Sequence, residues 1–227
     1  MPVSLYDGWK VNLNVRFRTT DVRIYNPSQE QIHNMNLVYD FFTDLNWTPN
    51  AIAGMLGNMM VESSVNPWYF QHHSLSWDNP GAILADDGGM GLTQWTPCNK
   101  YYSWAVGEGL DPASGWSMCK RIQHEQENGL QWSLDNILQY NWNDFITSTQ
   151  TPEILARVFL WAYERPSQLS PEEEAERNAQ RGANARWCFE HIHGSGLQPP
   201  IMVLLFQKSQ RKEIKRPCQT ISGTESR

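Results

Sequence analysis

The chain has 227 residues, including 11 tryptophans and 13 prolines, and its formal net charge is -6 at pH 7. This length accommodates one full domain with a sizeable core and a small additional segment. The acidic balance argues against nucleic-acid binding, which needs a basic surface. No apolar run approaches the ~20 residues of a membrane span, so we expect none.

The N-terminal segment carries a strand pattern and no sign of a secretion signal. MPVSLYDGWK lacks a basic head followed by an apolar run, so we predict no signal peptide. Residues 10–18, KVNLNVRFR, alternate between apolar and polar side chains, which predicts a half-buried strand. Residues 22–25 could pair with it, and we therefore predict a β appendage over residues 1–27.

Helices are predicted along most of the following chain. Residues 28–46 show the apolar spacing of an amphipathic helix. A hydroxyl residue followed by proline marks later starts, because the hydroxyl caps a free amide and proline loses no bond there. These starts are Thr48-Pro49, Thr96-Pro97, Thr151-Pro152 and Ser170-Pro171, with Glu173 completing a capping box. We predict helices near 49–63, 97–107, 112–127, 152–164 and 171–191, and a shorter one at 140–148.

The segment AILADDGGMGLTQW, residues 82–95, places turn residues between two apolar runs. This pattern predicts a β-hairpin with strands at 82–85 and 90–95 and a turn at 86–89. Residues 196–227 are basic and polar, as in a linker or tail. The sequence thus predicts a mostly helical α+β domain over residues 28–195.

Glu62, at the end of the predicted helix 49–63, is the leading catalytic candidate. Counting three residues on from Met59 places it on the apolar face formed by Ile52, Met55 and Leu56. We expect a desolvated carboxyl group there, and desolvation favours the protonated form that cleaves glycosidic bonds. Gly54 and Gly57 let another element approach this helix closely. The alternative is an ordinary surface glutamate in a last helical turn.

Three segments resemble motifs of the phage tail lysozymes, a branch of the goose-type lysozyme and lytic transglycosylase superfamily. They are AIAGMLGNMMVESSVNP, GMGLTQWTP and FLWAYERP, at residues 51–67, 89–97 and 159–166. The resemblance covers about residues 28–192 and includes the lysozyme domains of tail-knob cell-wall hydrolases from small Bacillus podoviruses. It implies a lysozyme-like fold, hydrolysis of peptidoglycan glycan strands without cofactor or metal, and a virion tail location beside other tail proteins.

The resemblance also implies site residues. Glu62 would be the general acid, with Gln94 and Tyr163 lining the cleft. Gln94 offers a donor and an acceptor for sugar hydroxyl and acetamido groups. Trp95 can stack on a sugar face, and Tyr163 can place its phenol near Glu62. For Trp95 and Tyr163 the alternative is plain core packing.

A second carboxyl group is less evident in the sequence. Glycosidases use two, about 5–5.5 Å apart for retention and ~6.5–9.5 Å apart for inversion. We take Asp87 as the second catalytic residue, ahead of Asp86 and Asp78; the alternative is a surface turn aspartate. An enzyme with Glu62 alone would use a substrate acetamido group or expel an anhydro-sugar. A lytic transglycosylase and a non-catalytic wall-binding tail protein therefore stay open.

Other chemistries find less support. His191-Ile-His193 resembles the HxH of zinc peptidases, but no HxxxD accompanies it. The spacing of the four cysteines fits no zinc pattern, so we predict free thiols and no metal. Cys98, at a predicted helix start, could be a nucleophile, but no His/Asn pairing supports a cysteine peptidase.

Overall fold

The computed structural model describes residues 4–12, 26–134, 138–167 and 170–195. Within these ranges the chain is mostly helical with a two-stranded antiparallel sheet, which confirms the predicted α+β class. The strands are β1 (Ser4–Tyr6) and β2 (Trp9–Val11). The helices are α1 (Gln29–Asp44), α2 (Pro49–Glu62), α3 (Pro80–Ala85), α4 (Asn99–Gly107), α5 (Gly115–Glu127), α6 (Trp142–Thr147), α7 (Pro152–Phe159), a π-helical turn (Leu160–Glu164) and α8 (Pro171–His191). In this part of the chain, no helix combines the length and apolarity that a bilayer crossing demands.

The N-terminal hairpin packs on the helices. Asp7 and Gly8 form its turn with φ angles of 48° and 86°, a conformation suited to a tight hairpin. Trp9 is fully buried, edge-on to Trp116 with 5.4 Å between ring centroids. Asn34 of α1 exchanges two hydrogen bonds of 2.8 Å with the backbone of Lys10. The predicted strand residues 13–18 and 22–25, and the tail 196–227, lie outside the described residues, and the domain boundaries stay predictions.

Helix starts followed the capping signals with two exceptions. The side chains of Thr48, Thr151 and Ser170 cap α2, α7 and α8 as predicted. The prediction at Thr96 was wrong, because its hydroxyl donates to the Gln94 carbonyl at 3.0 Å and α4 begins at Asn99. The predicted start of α5 at residue 112 was also early, since Ser114 is the N-cap.

The predicted strand at 82–85 was wrong, because residues Pro80–Ala85 form α3. The side chain of Asn79 accepts a 3.1 Å hydrogen bond from the amide of Ala82, and Pro80 takes the first helical position. The remaining β structure here consists of isolated antiparallel bridges from Met90 to Phe70 and to Trp95.

Helix α2 lies at the centre of the domain and packs on α1, α6, α7 and α8. Residues Ala51–Met60 are all buried. A β-carbon at Gly54 would lie 2.8 Å from the Leu155 Cβ of α7, and one at Gly57 would lie 2.6 Å from the Arg181 carbonyl oxygen of α8. These distances confirm the predicted close approach and show that α7 and α8 depend on the two glycines.

We expect Gly57→Ala to lower the free energy of unfolding by about 1–3 kcal/mol, the usual cost of overpacking. The added methyl group meets backbone atoms of Arg181 and Ala185, which cannot rotate away. Urea denaturation measures the effect. The control is Gly107→Ala, at the end of α4, where a β-carbon has nothing within 4 Å and should be neutral or slightly stabilising. Equal effects of the two changes would contradict the tight α2–α8 contact.

Candidate active site

A cavity of about 410 Å³ opens beside the π-helical turn. Its volume is in the range of small-ligand sites, and its lining is largely polar. The lining residues are Thr93, Gln94, Trp95, Thr96, Lys100, Gln131, Tyr163, Glu164 and Arg165. The cavity therefore brings together the three predicted substrate-binding residues, Gln94, Trp95 and Tyr163. Among the described lining residues there is neither Glu62 nor Asp87.

Glu62 ends α2 and is paired with an arginine of α8. Arg181 donates from Nη2 to Glu62 Oε1 at 2.6 Å. The Arg181 side chain is 4% exposed, whereas that of Glu62 is 22% exposed. Helix α8 thus supplies Glu62 with a cation that the local sequence does not reveal, and the catalytic role of Glu62 stays a prediction.

Tyr163 bonds to a different carboxylate from the one expected. Its hydroxyl donates to Glu125 Oε2 at 2.5 Å, and Thr93 Oγ1 lies 3.5 Å from the same hydroxyl oxygen. Glu125, on α5, is fully buried and also accepts from Arg121 Nε at 2.8 Å. Tyr163 thus anchors the π-helical turn to α5, and the predicted contact with Glu62 is replaced by this one.

Gln94 and Trp95 are held by contacts within the protein. The Gln94 side-chain amide donates to the carbonyl oxygens of Tyr69 and Gly91, at 3.2 and 2.9 Å. Trp95 is 3% exposed, stacks on Tyr101 with 4.8 Å between ring centroids, and donates from Nε1 to a Glu125 oxygen at 3.2 Å. Trp95 therefore forms the cavity wall mainly as a buried ring. Binding of substrate by these residues stays a prediction.

Glu164 is a lining residue whose protonation is strongly perturbed. Burial raises its pKa well above the usual glutamate value, repulsion from Glu62 raises it further, and Arg181 opposes both. Its Oε1 is buried without a hydrogen-bond partner in the described chain, although the residue as a whole is only half-buried. The protonated form of Glu164 is therefore favoured.

Asp87 lies in a separate cluster with His72 and Asp86. Asp86 Oδ2 is 2.8 Å from His72 Nδ1, and one ligand atom from each of the three residues lies within 4.8 Å of the others. Three such atoms could contact a cation, but the His72–Asp86 pair already accounts for the arrangement, and exposed acidic groups of this kind are common. The catalytic role of Asp87 stays a prediction.

The cysteines of the described chain are buried free thiols, as predicted: Cys98, Cys119 and Cys188. Burial raises the pKa of Cys98 to about 12, and the negative charge of Asp86 adds to the shift. Cys98 is therefore a protonated thiol near neutral pH, which disfavours a cysteine nucleophile. Cys218 lies outside the described residues.

Sequence reasoning missed Arg181, Glu125 and Glu164. Glu164 directly follows Tyr163 in the segment FLWAYERP, so the motif itself was the available signal. Arg121 and Glu125 are four residues apart on α5, a spacing that predicts an ion pair. No local pattern identifies Arg181, because 119 residues separate it from Glu62.

Comparisons with known proteins agree with this architecture. Residues 33–191 match the family model described as phage tail lysozyme. The chain is also similar to morphogenesis protein 1 of Bacillus phage B103, with 36% identity over 172 residues. The matched region covers 76% of this chain and 42% of the relative, so the match spans about two fifths of the relative's length.

The raised pKa of Glu164 has a consequence for stability. The folded state retains the Glu164 proton to higher pH than the unfolded chain, so stability falls as pH rises from the ordinary glutamate pKa toward the raised value. Glu164→Gln places a neutral side chain of the same shape at this position. It therefore removes the loss of stability that comes from ionising a buried carboxyl group. We expect the variant to melt at a higher temperature than wild type at about pH 8, with a smaller difference at about pH 4.

Melting curves followed by circular dichroism across this pH range check the expectation. The matched control is Glu174→Gln on α8, where Glu174 is 41% exposed and 3.5 Å from Arg157. That change should show little pH dependence. A Glu164→Gln variant that gains no stability relative to wild type as pH rises would contradict the raised pKa of Glu164.

Proposed function

This chain belongs to the phage tail lysozyme family, and we therefore propose that it is a muramidase that cleaves the glycan strands of bacterial peptidoglycan. The observation that carries the proposal is a polar cavity that brings together Gln94, Trp95, Tyr163 and the carboxyl group of Glu164, on which Glu62 acts electrostatically. Cleavage of a glycosidic bond needs a carboxyl group that supplies a proton to the leaving oxygen.

The cavity suits a sugar ligand. Its volume of about 410 Å³ is enough for a small part of a glycan chain. The Oε1 of Gln94 is not used in the bonds that its amide nitrogen makes, so it can accept from a sugar hydroxyl or an acetamido N–H. Lys100 and Gln131 supply further polar groups to the lining.

The proposed setting is the phage virion. A relative named as a phage morphogenesis protein and the family of phage tail lysozymes both support a virion-associated protein. We propose a position in the tail, next to other tail proteins, where wall cleavage would assist genome entry. Hydrolysis by a carboxyl pair requires neither a metal nor an organic cofactor.

The first functional test is Glu62→Gln. The change keeps the size of the side chain and an acceptor for Arg181, but removes the carboxyl group. We expect the rate of sacculus lysis to fall by ~10²–10⁴, the usual effect of losing an acid–base group. Turbidity of purified sacculi measures the rate, and circular dichroism confirms the fold.

Glu174→Gln is again the matched control, since it alters a glutamate paired with arginine on the surface of the same domain. It should lyse sacculi at the wild-type rate. Undiminished lysis by a folded Glu62→Gln protein would refute the proposed site, and absence of lysis by the wild-type protein would refute the proposed activity.

A further inference from the structure

We propose that Lys100 and Arg165 form an anion-binding subsite in this cavity, and that the subsite takes a carboxylate group carried by the glycan strand. The inference rests on the proposed function and deepens it, because it names a part of the substrate that these two residues recognise. Both residues belong to the lining, Lys100 from α4 and Arg165 from the position directly after the π-helical turn. Their role is recognition of the substrate, not proton transfer.

The two cations lack the carboxylate partners that other cations of the domain have. Four arginines of the described chain pair with glutamates: Arg121, Arg157, Arg181 and Arg186. Lys100 and Arg165 form no ion pair with any described residue, although they line one cavity and repel each other. Like charges that share a site without a counter-ion are unfavourable, and a bound anion would offset this repulsion.

Lys100 is held in position and still has donors available. It is half-buried, and its Nζ donates to Gln131 Oε1 at 2.5 Å. Gln131 in turn donates from Nε2 to the Tyr163 carbonyl oxygen at 3.1 Å, so the ammonium group is tied to the π-helical turn. An ammonium group has three N–H donors, and Gln131 takes one of them. The other donors can therefore reach an anion in the cavity.

Arg165 presents an exposed guanidinium at the same lining. Its backbone is fixed by the hydrogen bond from its amide to the Leu160 carbonyl oxygen at 2.8 Å. Its side chain makes no hydrogen bond to a described residue. The guanidinium has N–H donors in a planar fork that matches a carboxylate. Arg165 can therefore bind a carboxylate through two parallel hydrogen bonds.

The backbone around the cavity gives an observation that is independent of charge. Gln94, Gln131 and Arg165 all line the cavity, and their φ angles are 51°, 60° and 49°. This left-handed conformation is uncommon for residues other than glycine and costs free energy, so it is found preferentially at functional sites. Glycine would adopt it more easily, but would supply no polar side chain. The lining is therefore arranged to bind a polar ligand.

The proposed substrate supplies carboxylates beside its sugar rings. Alternate sugars of a peptidoglycan glycan strand carry a lactyl group, which is either free at its carboxyl end or extended by a peptide with carboxylates of its own. A carboxylate of either kind would enter the cavity together with the sugar. The net charge of the chain is -6, which repels an anionic polymer at long range. Recognition of its carboxylates therefore depends on local cations such as Lys100 and Arg165.

Glu164 is an acidic residue of the same lining, and an ionised Glu164 would repel a carboxylate. Burial raises its pKa, and its protonated form can instead donate a hydrogen bond. Burial also lowers the pKa of Lys100, attraction to Glu125 opposes this change, and repulsion from Arg165 adds to it. A bound carboxylate would stabilise the charged form of Lys100. The charges of the lining are thus compatible with an anionic ligand.

The test compares glycan strands that carry carboxylates with the same strands after their carboxylates are converted to amides. Peptide-bearing strands and strands stripped of their peptides, which retain lactyl carboxylates, are used in both forms. Release of reducing ends gives kcat and KM. We expect wild-type kcat/KM to fall roughly tenfold on amidation, mainly through KM, because hydrogen bonds to a charged group are lost. A preference shown by stripped strands assigns the lactyl carboxylate, and one confined to peptide-bearing strands assigns a peptide carboxylate.

Variants connect this preference to the two cations. Lys100→Gln and Arg165→Gln should each reduce the preference for carboxylate strands, and the double variant should abolish it. Lys100→Arg keeps the charge and should retain most of the preference, which a purely structural role of Lys100 does not predict. Arg157→Gln is the matched control, since it removes one positive charge from a surface ion pair outside the described lining. It should keep the wild-type preference, and circular dichroism checks the fold of each variant.

The outcomes separate the subsite from the proposed function. Equal cleavage of both forms by wild type, or an unchanged preference in the double variant, would refute the subsite while the proposed function stands. An equal loss of preference in Arg157→Gln would assign it to net charge and also refute the subsite. If no strand is cleaved, the proposed function is refuted. Titration calorimetry of wild type with a muramyl peptide and with its amide then tests the subsite alone, and equal Kd values would contradict it.

Discussion

The contact between α2 and α8 determines both the packing of the domain and the electrostatics of its cleft. Gly57 has no side chain, so the backbone of α8 lies directly against α2 at Arg181 and Ala185. The same Arg181 extends its buried guanidinium to Glu62, at the end of α2. A larger residue at position 57 would separate the helices and move the cation away from the carboxylate. The close approach of α8 to α2 at Gly57 therefore sets both the packing of the two helices and the position of the Arg181 guanidinium beside Glu62.

Three glutamates differ in how their charge is compensated: Glu164, which lines the cavity, and Glu62 and Glu125, which act on it electrostatically. Glu125 is fully buried and accepts hydrogen bonds from Arg121, Tyr163 and Trp95. Glu62 has one strong arginine contact and partial exposure. Glu164 has burial without a hydrogen bond to Oε1. Burial raises the pKa of Glu164 well above the usual glutamate value, and a raised pKa of this kind is what a proton-donating carboxyl group in a glycosidase needs.

Much of the helical frame could be predicted from local signals, whereas the partners in the site could not. Capping residues located α2, α7 and α8, because a cap is a contact between near neighbours in sequence. Asn79-Pro80 carries the same signal as those starts, yet the turn residues that follow it led to a strand prediction. Arg181 reaches Glu62 only through the tertiary fold, and the π-helical turn changes the register that would orient Glu164. The choice of Asp87 rested on the predicted hairpin, and its catalytic role stays a prediction.

The masses of the fragments released from purified sacculi test the central claim most directly, because they report which bond breaks and what is added to it. The account predicts glycan fragments with hydrated reducing ends from wild type and almost none from Glu62→Gln. Fragments lighter by one water would contradict hydrolysis and indicate a transglycosylase on the same fold. Sacculi that yield no new glycan ends with wild-type protein would contradict cleavage of the glycan strands altogether.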